Sequence, residues 1–318
     1  MANDKASPDQ IGRPVRIVSI SFVEKGLAEI AALVDREAAR GVDVVALPET
    51  WTGQAGHEPE TLTGPTITAM AALARKHRTY IVCPIDRQDG ARRVNTAVLL
   101  DRRGQVAGLY DKVYPYWSEF DVQPPMAPGL DAPVFETDFG RLGLAICFDA
   151  NFPEVWQRLA EQGAELVIWP SAYSAGATLQ AHALMHHYYI VTSTGARDCL
   201  VYDITGAQWF YERAEEINVS RITLDLDRGI YHQNFNLEKR DLLLSEHGAE
   251  VGQEAWLERE QWFVLRATRP GVSARALARA YGLEELRDYI ARSRREIDAL
   301  RGWALADKTL SRMTRMGE

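Results

Sequence analysis

Short apolar runs rich in Val and Ile alternate with longer apolar patterns at helical spacing over roughly the first two-thirds of the chain. This alternation constrains the fold most strongly, because buried strands connected by helices are typical of an α/β protein whose sheet is covered by helices. The sequence predicts strands at residues 16–22, 42–47, 80–85, 95–101, 106–110, 142–147 and 166–170, and helices near residues 27–34, 66–77 and 153–162.

One segment pattern occurs twice along the chain. Residues 41–48 and 163–170 each contain a glycine, an acidic residue, an apolar run and a closing proline, and each follows a predicted helix and an apolar strand. A single repetition at so long a period argues against a solenoid, whose repeats span roughly 20 to 50 residues. The pattern favours two similar βαβ halves, although the small alphabet of buried strands can also produce such a match by chance.

Beyond about Asp225 the sequence becomes charged and helix-prone. Ser273 is a candidate N-cap for a short helix. An apolar stripe predicts a longer helix after it, formed by Leu283, Leu286, Ile290, Ile297 and Leu300. Residues 274–290 resemble a helix-turn-helix, but five arginines match five acids between Glu284 and Arg301, so the segment has no net charge to attract DNA. We expect a disordered or loosely packed N-terminus at 1–14 and a helical C-terminal extension at 226–318 that serves packing or oligomer contacts.

The composition is that of a soluble globular protein, with 46% hydrophobic and 25% charged residues. A net charge of −8 argues against general affinity for nucleic acid or anionic membranes. No secretory signal or run of roughly 20 apolar residues is present, so we expect no membrane association. Three widely spaced cysteines without a CxxC pair suit a reducing compartment, and the expected location is the cytoplasm.

Cys147 is the first candidate for chemistry, since it ends an apolar strand shortly before Pro153 opens a helix. A turn between strand and helix presents a nucleophile at the sheet edge, where backbone N–H groups and the helix N-terminus favour a thiolate and a developing oxyanion. Taken alone, a cysteine in an apolar strand is more often a packing residue, and we interpret Cys83 and Cys199 in that way.

Two further candidates each follow a predicted strand. Glu49 comes directly after Pro48, where the chain emerges at the sheet edge, and Lys112 follows the strand at 106–110. In isolation each has a simpler interpretation, because such a glutamate can cap or pair and a lone lysine is normally a solvated surface charge. Only the set of three, in the order Glu, Lys, Cys, points to chemistry.

Histidine is the usual base beside a nucleophilic cysteine, so His182, His186 and His187 need consideration. A papain-like enzyme would place its histidine well downstream of the cysteine with motifs of its own, and those motifs are missing. His182 and His186 have the i, i+4 spacing of a metal-binding pair, but no Glu-x-x-His partner accompanies them. We therefore expect no metal, and we place the three histidines on a helix near the pocket or an interface.

The residues flanking these candidates resemble motifs of the nitrilase, or carbon-nitrogen hydrolase, superfamily. The matching segments are Leu47-Pro48-Glu49, Tyr110-Asp111-Lys112, Cys147-Phe148-Asp149-Ala150-Asn151-Phe152-Pro153-Glu154 and Trp169-Pro170-Ser171-Ala172. Several ordered motifs argue against coincidence and imply a carbon-nitrogen hydrolase domain at 15–225. The resemblance further implies a four-layer α-β-β-α sandwich, dimers formed through the sheet-flanking helices, and no metal or organic cofactor.

The resemblance also implies catalytic roles. Cys147 would attack a carbonyl or nitrile carbon, Glu49 would take the thiol proton, and Lys112 would stabilise the oxyanion. The backbone N–H of Phe148 is the expected partner of Lys112 in the oxyanion hole. Glu119, seven residues after Lys112, resembles the second glutamate that supports this set. Water would then hydrolyse the thioester.

The pair Phe148-Asp149 bears on the substrate, because amidase and carbamoyl-amidase branches favour Tyr-Asp or Phe-Asp where true nitrilases have Trp-Glu. We therefore predict hydrolysis of a linear amide or an N-carbamoyl amine. Asn151 stands where many members carry arginine, so a bidentate clamp for a substrate carboxylate is missing there. The residues predicted to bind substrate are Tyr114, Trp117, Phe148, Asn151 and Tyr173.

Several alternatives stay open at this point. The same set of residues could serve a nitrilase, or an acyl transferase that passes the thioester to an amine. A non-catalytic scaffold is a further alternative, against which the presence of Glu49, Lys112 and Cys147 speaks. The expected partners are a small amide, ureido or nitrile substrate and further copies of this chain, in a homodimer or a higher homo-oligomer.

Overall fold

A computed structural model describes residues 11–49, 51 and 58–302. The larger of its two compact units spans Arg16–Ile222, and the smaller one comprises residues 223–302 together with residues 11–15. Among the helices in these ranges, none is long and apolar enough to cross a membrane.

Two six-stranded sheets and four helices build the larger unit. In chain order, its elements are β1 (Pro14–Phe22), α1 (Leu27–Ala38), β2 (Val44–Ala46), α2 (Pro65–His77), β3 (Tyr80–Asp89), β4 (Arg92–Leu100), β5 (Val106–Asp111), β6 (Val134–Glu136), β7 (Arg141–Leu144), α3 (Pro153–Glu161), β8 (Leu166–Ser171), α4 (Ala177–His186), β9 (Tyr189–Thr194), β10 (Asp198–Tyr202), β11 (Gln208–Arg213) and β12 (Ile217–Asp225). The strand orders are β12-β1-β2-β3-β4-β5 and β11-β10-β9-β8-β7-β6.

The two sheets share a topology. Each has three consecutive parallel strands joined by helices, β1-α1-β2-α2-β3 in the first and β7-α3-β8-α4-β9 in the second. The repeated pattern contains β2 and β8, which occupy the same position in the two halves. The prediction of two similar βαβ halves is therefore confirmed.

The sheets face each other through hydrogen bonds between β1 and β9. Ser19 Oγ donates to the carbonyl of Thr192 at 2.7 Å, and Ser193 Oγ donates to the carbonyl of Ile20 at 2.8 Å. Helices α1 and α2 contact each other beside the first sheet, and α3 and α4 do the same beside the second. Ile30 and Val34 of α1 are fully buried in the core of the first half. This arrangement is the predicted four-layer α-β-β-α sandwich.

The smaller unit contains the predicted helices and also a three-stranded antiparallel sheet that the sequence did not predict. Its elements are β13 (Gly229–His232), α5 (Leu237–His247), β14 (Val251–Leu257), β15 (Trp262–Ala267), α6 (Ala274–Ala280) and α7 (Leu286–Leu300), with strand order β13-β15-β14. The hydroxyl of Ser273 accepts a hydrogen bond from the N–H of Ala276 at 3.1 Å, which confirms this residue as the N-cap. Of the predicted apolar stripe, Leu283 and Leu286 are buried, whereas Ile290, Ile297 and Leu300 are exposed.

The expectation of a loosely packed N-terminus falls mostly on residues 1–10, which lie outside the described residues. Residues 11–14 are held within the smaller unit, where Ile11 forms an isolated bridge with Pro270. The backbone N–H of Arg13 donates to Asp225 Oδ1 at 2.8 Å. Strand β1 already begins at Pro14.

Candidate active site

Cys147 lies in a sharp turn rather than in the strand predicted at 142–147. Strand β7 ends at Leu144, and Cys147 begins a single 3-10 turn that leads to Pro153 at the start of α3. The φ angle of Cys147 is +46°, in the left-handed region, where a non-glycine residue costs about 1 to 3 kcal/mol. The indole N–H of Trp169 donates to the carbonyl of Cys147 at 3.1 Å and helps to hold this strained backbone.

The fully buried side chain of Asp149 ties this turn to the loop after β5. Its Oδ2 accepts hydrogen bonds from the hydroxyl of Tyr110 at 2.6 Å and from the N–H of Ile146 at 2.9 Å. Its Oδ1 accepts a hydrogen bond from the N–H of Tyr114 at 2.8 Å. Burial raises the pKa of Asp149 to about 6, although these three donors act in the opposite direction.

We predict a pH-dependent contribution of Asp149 to stability. Because its pKa rises from the ordinary 3.8 to about 6, the folded chain holds a proton that the unfolded chain releases over this range. The stabilisation is therefore complete below about pH 4 and is lost as the pH rises through about 6. Denaturant titrations should show that the advantage of the wild type over Asp149→Asn falls by about 2 to 3 kcal/mol between pH 4 and pH 7. An advantage independent of pH would contradict the prediction.

Lys112 lies at the centre of the candidate site and is almost fully buried. Its Nζ donates to Glu49 Oε1 at 2.8 Å and to Glu119 Oε2 at 2.5 Å. Burial alone would lower the pKa of Lys112, but the nearby acidic groups, with the negative charge of Glu49 the largest of them, outweigh burial and raise it. Lys112 is therefore an ammonium ion at neutral pH, not a solvated surface charge.

Glu49 follows β2 and connects Lys112 to Cys147. Its Oε2 accepts a hydrogen bond from the N–H of Ala172, after β8, at 2.9 Å. The thiol of Cys147 donates to the same carboxylate. Burial and the charge of Glu49 raise the pKa of Cys147, which outweighs the opposite effect of Lys112. The thiol is thus protonated at rest and lies beside a carboxylate that can accept its proton.

Glu119, which the sequence analysis placed beside Lys112 as an expectation, lies in the same cluster on the 3-10 turn Trp117–Phe120. Its Oε2 also accepts a hydrogen bond from the backbone N–H of Tyr116 at 2.7 Å. Sequence reasoning missed Asn95, whose Nδ2 donates to Oε1 of both Glu49 and Glu119 at 2.8 Å. The available signal was a polar pair, Asn95 and Thr96, directly before the apolar residues that end β4.

Aromatic rings surround the turn that begins at Cys147. Tyr114 stacks on Phe152 with ring centroids 3.6 Å apart, and Phe148 meets Phe152 edge to face at 5.3 Å. Tyr116 contacts both Phe148 at 5.2 Å and Trp117 at 5.6 Å. Trp117 is 65% exposed, so it lies at the outer margin of this cluster.

Two of the predicted substrate-binding residues contact each other beside Cys147. The side chain of Asn151 donates to the carbonyl of Phe148 at 3.2 Å and also hydrogen-bonds to Tyr173. Burial raises the pKa of Tyr173, and the negative charge of a Cys147 thiolate adds to this effect. Tyr173 therefore lies close enough to Cys147 for electrostatic interaction.

His182 of α4 supports the turn that begins at Cys147. The ring of His182 stacks on Trp156 with centroids 4.5 Å apart, and its Nε2 lies 2.9 Å from the carbonyl of Ala150. Burial lowers the pKa of His182. His187 ends α4 in a left-handed conformation, with Nδ1 3.2 Å from the carbonyl of Ile204. Within residues 11–49, 51 and 58–302, no group of three or more His, Cys, Asp or Glu residues could hold a metal ion.

A thiol, a carboxylate and a buried ammonium meet where strands of both halves of an α-β-β-α sandwich end, and this combination defines a thiol-dependent hydrolase. The chain belongs to the carbon-nitrogen hydrolase family, whose model matches residues 17–227. It is accordingly a hydrolase of carbon-nitrogen bonds other than peptide bonds.

Sequence relatives agree with this placement, and solved structures share the fold. The chain is 31% identical to deaminated glutathione amidase of Synechocystis sp. (strain PCC 6803 / GT-S), over 56% of this chain and 74% of the relative. It is 26% identical to the omega-amidase NIT2 of Homo sapiens, over 57% of this chain and 73% of that relative. The fold is similar to Saccharomyces cerevisiae Nit3, a member of the nitrilase superfamily, with a TM-score of 0.59 and 20% identity over 69% of this chain and 93% of that chain. It is also similar to the amidase from Nesterenkonia sp. AN1, with a TM-score of 0.58 and 20% identity over 66% of this chain and 92% of that chain.

Proposed function

We propose that this chain is an amidase that forms a thioester on Cys147, with Glu49 as general base and Lys112 as an oxyanion donor. The observation that carries the proposal is the position of Glu49, whose buried carboxylate contacts both the thiol of Cys147 and the ammonium of Lys112. Glu49 can therefore receive the thiol proton while Lys112 retains its positive charge.

The raised pKa values indicate the order of events. Because the thiol of Cys147 is protonated at rest, its proton passes to Glu49 as sulfur attacks the carbonyl carbon. Lys112 stays protonated and, with the N–H of Phe148, stabilises the negative charge on the carbonyl oxygen. Glu49 then returns the proton to the leaving amine. A water molecule, activated by Glu49, cleaves the thioester and regenerates the thiol.

Two kinds of evidence support an amide substrate over a nitrile. The pair Phe148-Asp149 is the form that resembles the amidase and carbamoyl-amidase branches, and Asp149 is fully buried as part of the turn. The relatives reported above are named as amidases. An N-carbamoyl amine stays the second candidate, because its terminal carbonyl group presents the same attack geometry to Cys147.

An activity panel tests this proposal. We expect ammonia release from aliphatic or aromatic amides or N-carbamoyl amines, and a loss of at least about 10⁴-fold in kcat for Cys147→Ala. The matched control is Cys199→Ala, which removes a fully buried thiol from β10 and should leave kcat unchanged. Turnover of nitriles alone would overturn the amidase proposal. If no compound reacts and iodoacetamide labels Cys147 no faster than Cys83, the catalytic role of Cys147 is wrong.

We further propose that the chain forms homo-oligomers in a reducing compartment. All three cysteines are free thiols, which is compatible with such a compartment. Leu184 and Met185 are exposed on α4, one of the sheet-flanking helices, and could pack against a second copy. Light scattering of the same preparation should give the mass of at least two chains, and a monomeric mass would contradict the proposal.

A further inference from the structure

Asn95 is the one neutral side chain that joins both glutamates of the described site. We propose that Asn95 is a positioning residue, which holds the ionised carboxylates of Glu49 and Glu119 in place and thereby orients Glu49 towards Cys147. The inference rests on the function proposed above.

Both hydrogens of the side-chain amide of Asn95 are used in this role. An asparagine Nδ2 carries two hydrogens, and here one is donated to Glu49 Oε1 and the other to Glu119 Oε1, both at 2.8 Å. The side chain is 3% exposed, so water cannot readily replace either bond. The backbone carbonyl of Asn95 accepts a hydrogen bond from the backbone N–H of Lys112 at 2.8 Å. A single residue of β4 thus contacts the side chains of both glutamates and the backbone of Lys112.

A neutral donor is needed because two carboxylates share one ammonium. Lys112 Nζ donates to Oε1 of Glu49 and to Oε2 of Glu119, which leaves one excess negative charge in a buried cluster. Like charges at this separation repel strongly when they are desolvated. Asn95 supplies a second donor to each carboxylate without adding charge, and hydrogen bonds to ionised acceptors are the strong ones.

The orientation of Glu49 follows from this arrangement. Asn95 and Lys112 both donate to Oε1, while the N–H of Ala172 donates to Oε2 from the opposite half of the sandwich. The plane of the carboxylate is therefore set by three donors before the thiol of Cys147 contributes its own hydrogen bond. Loss of Asn95 leaves Glu49 to rotate about the single contact with Lys112 on that side, and small misplacements of a reacting group reduce rates by about 10²-fold.

A graded series of variants tests the proposal. Asn95→Ser retains one donor, Asn95→Ala retains none, and Asn95→Asp replaces the amide with a third carboxylate. We expect kcat to decrease least in Asn95→Ser, more in Asn95→Ala and most in Asn95→Asp. The decrease for Asn95→Ala should be about 10²-fold relative to the wild type, with KM changed less than threefold. The acid limb of the kcat/KM profile should move to higher pH, because a donor that favours an ionised carboxylate has been removed.

Asn218→Ala is the matched control for loss of structure alone. Asn218 is also a buried asparagine of the larger unit, and its Nδ2 donates to Ser220 Oγ at 2.8 Å within β12. This variant should lose thermal stability to a similar extent as Asn95→Ala but keep kcat and the pH profile. The proposal is wrong if Asn95→Ala, folded and as stable as Asn218→Ala, keeps kcat within twofold and an unchanged acid limb.

A second readout separates this inference from the proposed amidase function. The rate of alkylation of Cys147 by iodoacetamide, followed against pH by mass spectrometry, does not require a known substrate. If the amide panel gives no turnover but the alkylation profile of Asn95→Ala still shifts relative to Asn218→Ala, the positioning role stands and the amidase proposal fails. If neither variant shifts the alkylation profile, the positioning role of Asn95 fails regardless of the panel.

Discussion

Glu49→Gln is expected to make the thiol of Cys147 easier to ionise and the enzyme nearly inactive. The charge of Glu49 raises the pKa of Cys147 and the charge of Lys112 lowers it, so neutralising Glu49 leaves only the lowering charge. The proton acceptor beside the thiol is lost in the same step. Since a general base contributes about 10²- to 10⁴-fold, we expect kcat to fall by about 10³-fold or more.

Two measurements on the same variant test whether the thiol becomes easier to ionise while the activity is lost. The pH at which iodoacetamide labels Cys147 at half its maximal rate should fall, while ammonia release disappears. The control is Glu37→Gln, which neutralises a buried carboxylate on α1 that is bound by Arg36 and Arg221. This control should lower stability without moving the labelling profile of Cys147. If Glu49→Gln keeps at least a tenth of the wild-type kcat, Glu49 is not the base.

The positions of Glu49 and Lys112 could be predicted because each follows the end of an identifiable strand. Glu49 comes three residues after β2, and Lys112 directly follows β5. Strand ends are visible in a sequence as the point where a short apolar run stops. That these ends converge follows from the α/β topology, which the alternation of strands and helices indicates.

Asn95 could not be predicted in the same way, because its role depends on more than the register between strands. It pairs with Asp86 across β3 and β4, and it lies next to the Thr96–Asp111 pair of β4 and β5. The short turn between Asp89 and Arg92 fixes the register of β3 and β4, but the meeting of Asn95 with Glu49 and Glu119 depends on segments that are distant in sequence. The same limit explains why strand 142–147 was predicted too long. The turn at Cys147 is held by two side-chain contacts that a strand pattern does not reveal. Trp169, which is distant in sequence, donates to the carbonyl of Cys147, and the side chain of Asp149 accepts from the N–H of Ile146.

The sheet of the smaller unit was missed for a different reason. Strand β13 has only four residues, and in β14 only Val251 is buried, with the charged Glu254 in the middle of the strand. Short strands of mixed polarity have little periodic signal, whereas helices with a good N-cap such as Ser273 are marked by a local hydrogen bond.

Lys112→Met should produce the largest loss of stability among single substitutions in the site. Methionine retains most of the volume but removes the ammonium that Glu49 and Glu119 share in an environment almost closed to water. Removing one partner of a buried ion pair costs about 3 to 5 kcal/mol, because the remaining charge is left without compensation. Guanidinium titration should therefore show this decrease in the free energy of unfolding, together with loss of activity.

A second substitution shows whether Lys112→Met loses stability because the carboxylates are left uncompensated or because packing is lost. If the cost arises from the two carboxylates, Glu119→Gln added to Lys112→Met removes one of them and should restore part of the stability, although Glu119→Gln alone is destabilising. If the cost arises from packing, the double variant should be less stable than Lys112→Met by about the cost of Glu119→Gln. Lys76→Met is the control, because its ion pair with Asp35 is solvent-exposed and should change stability little. Partial recovery in the double variant would show that both glutamates depend on the single ammonium of Lys112 for charge compensation.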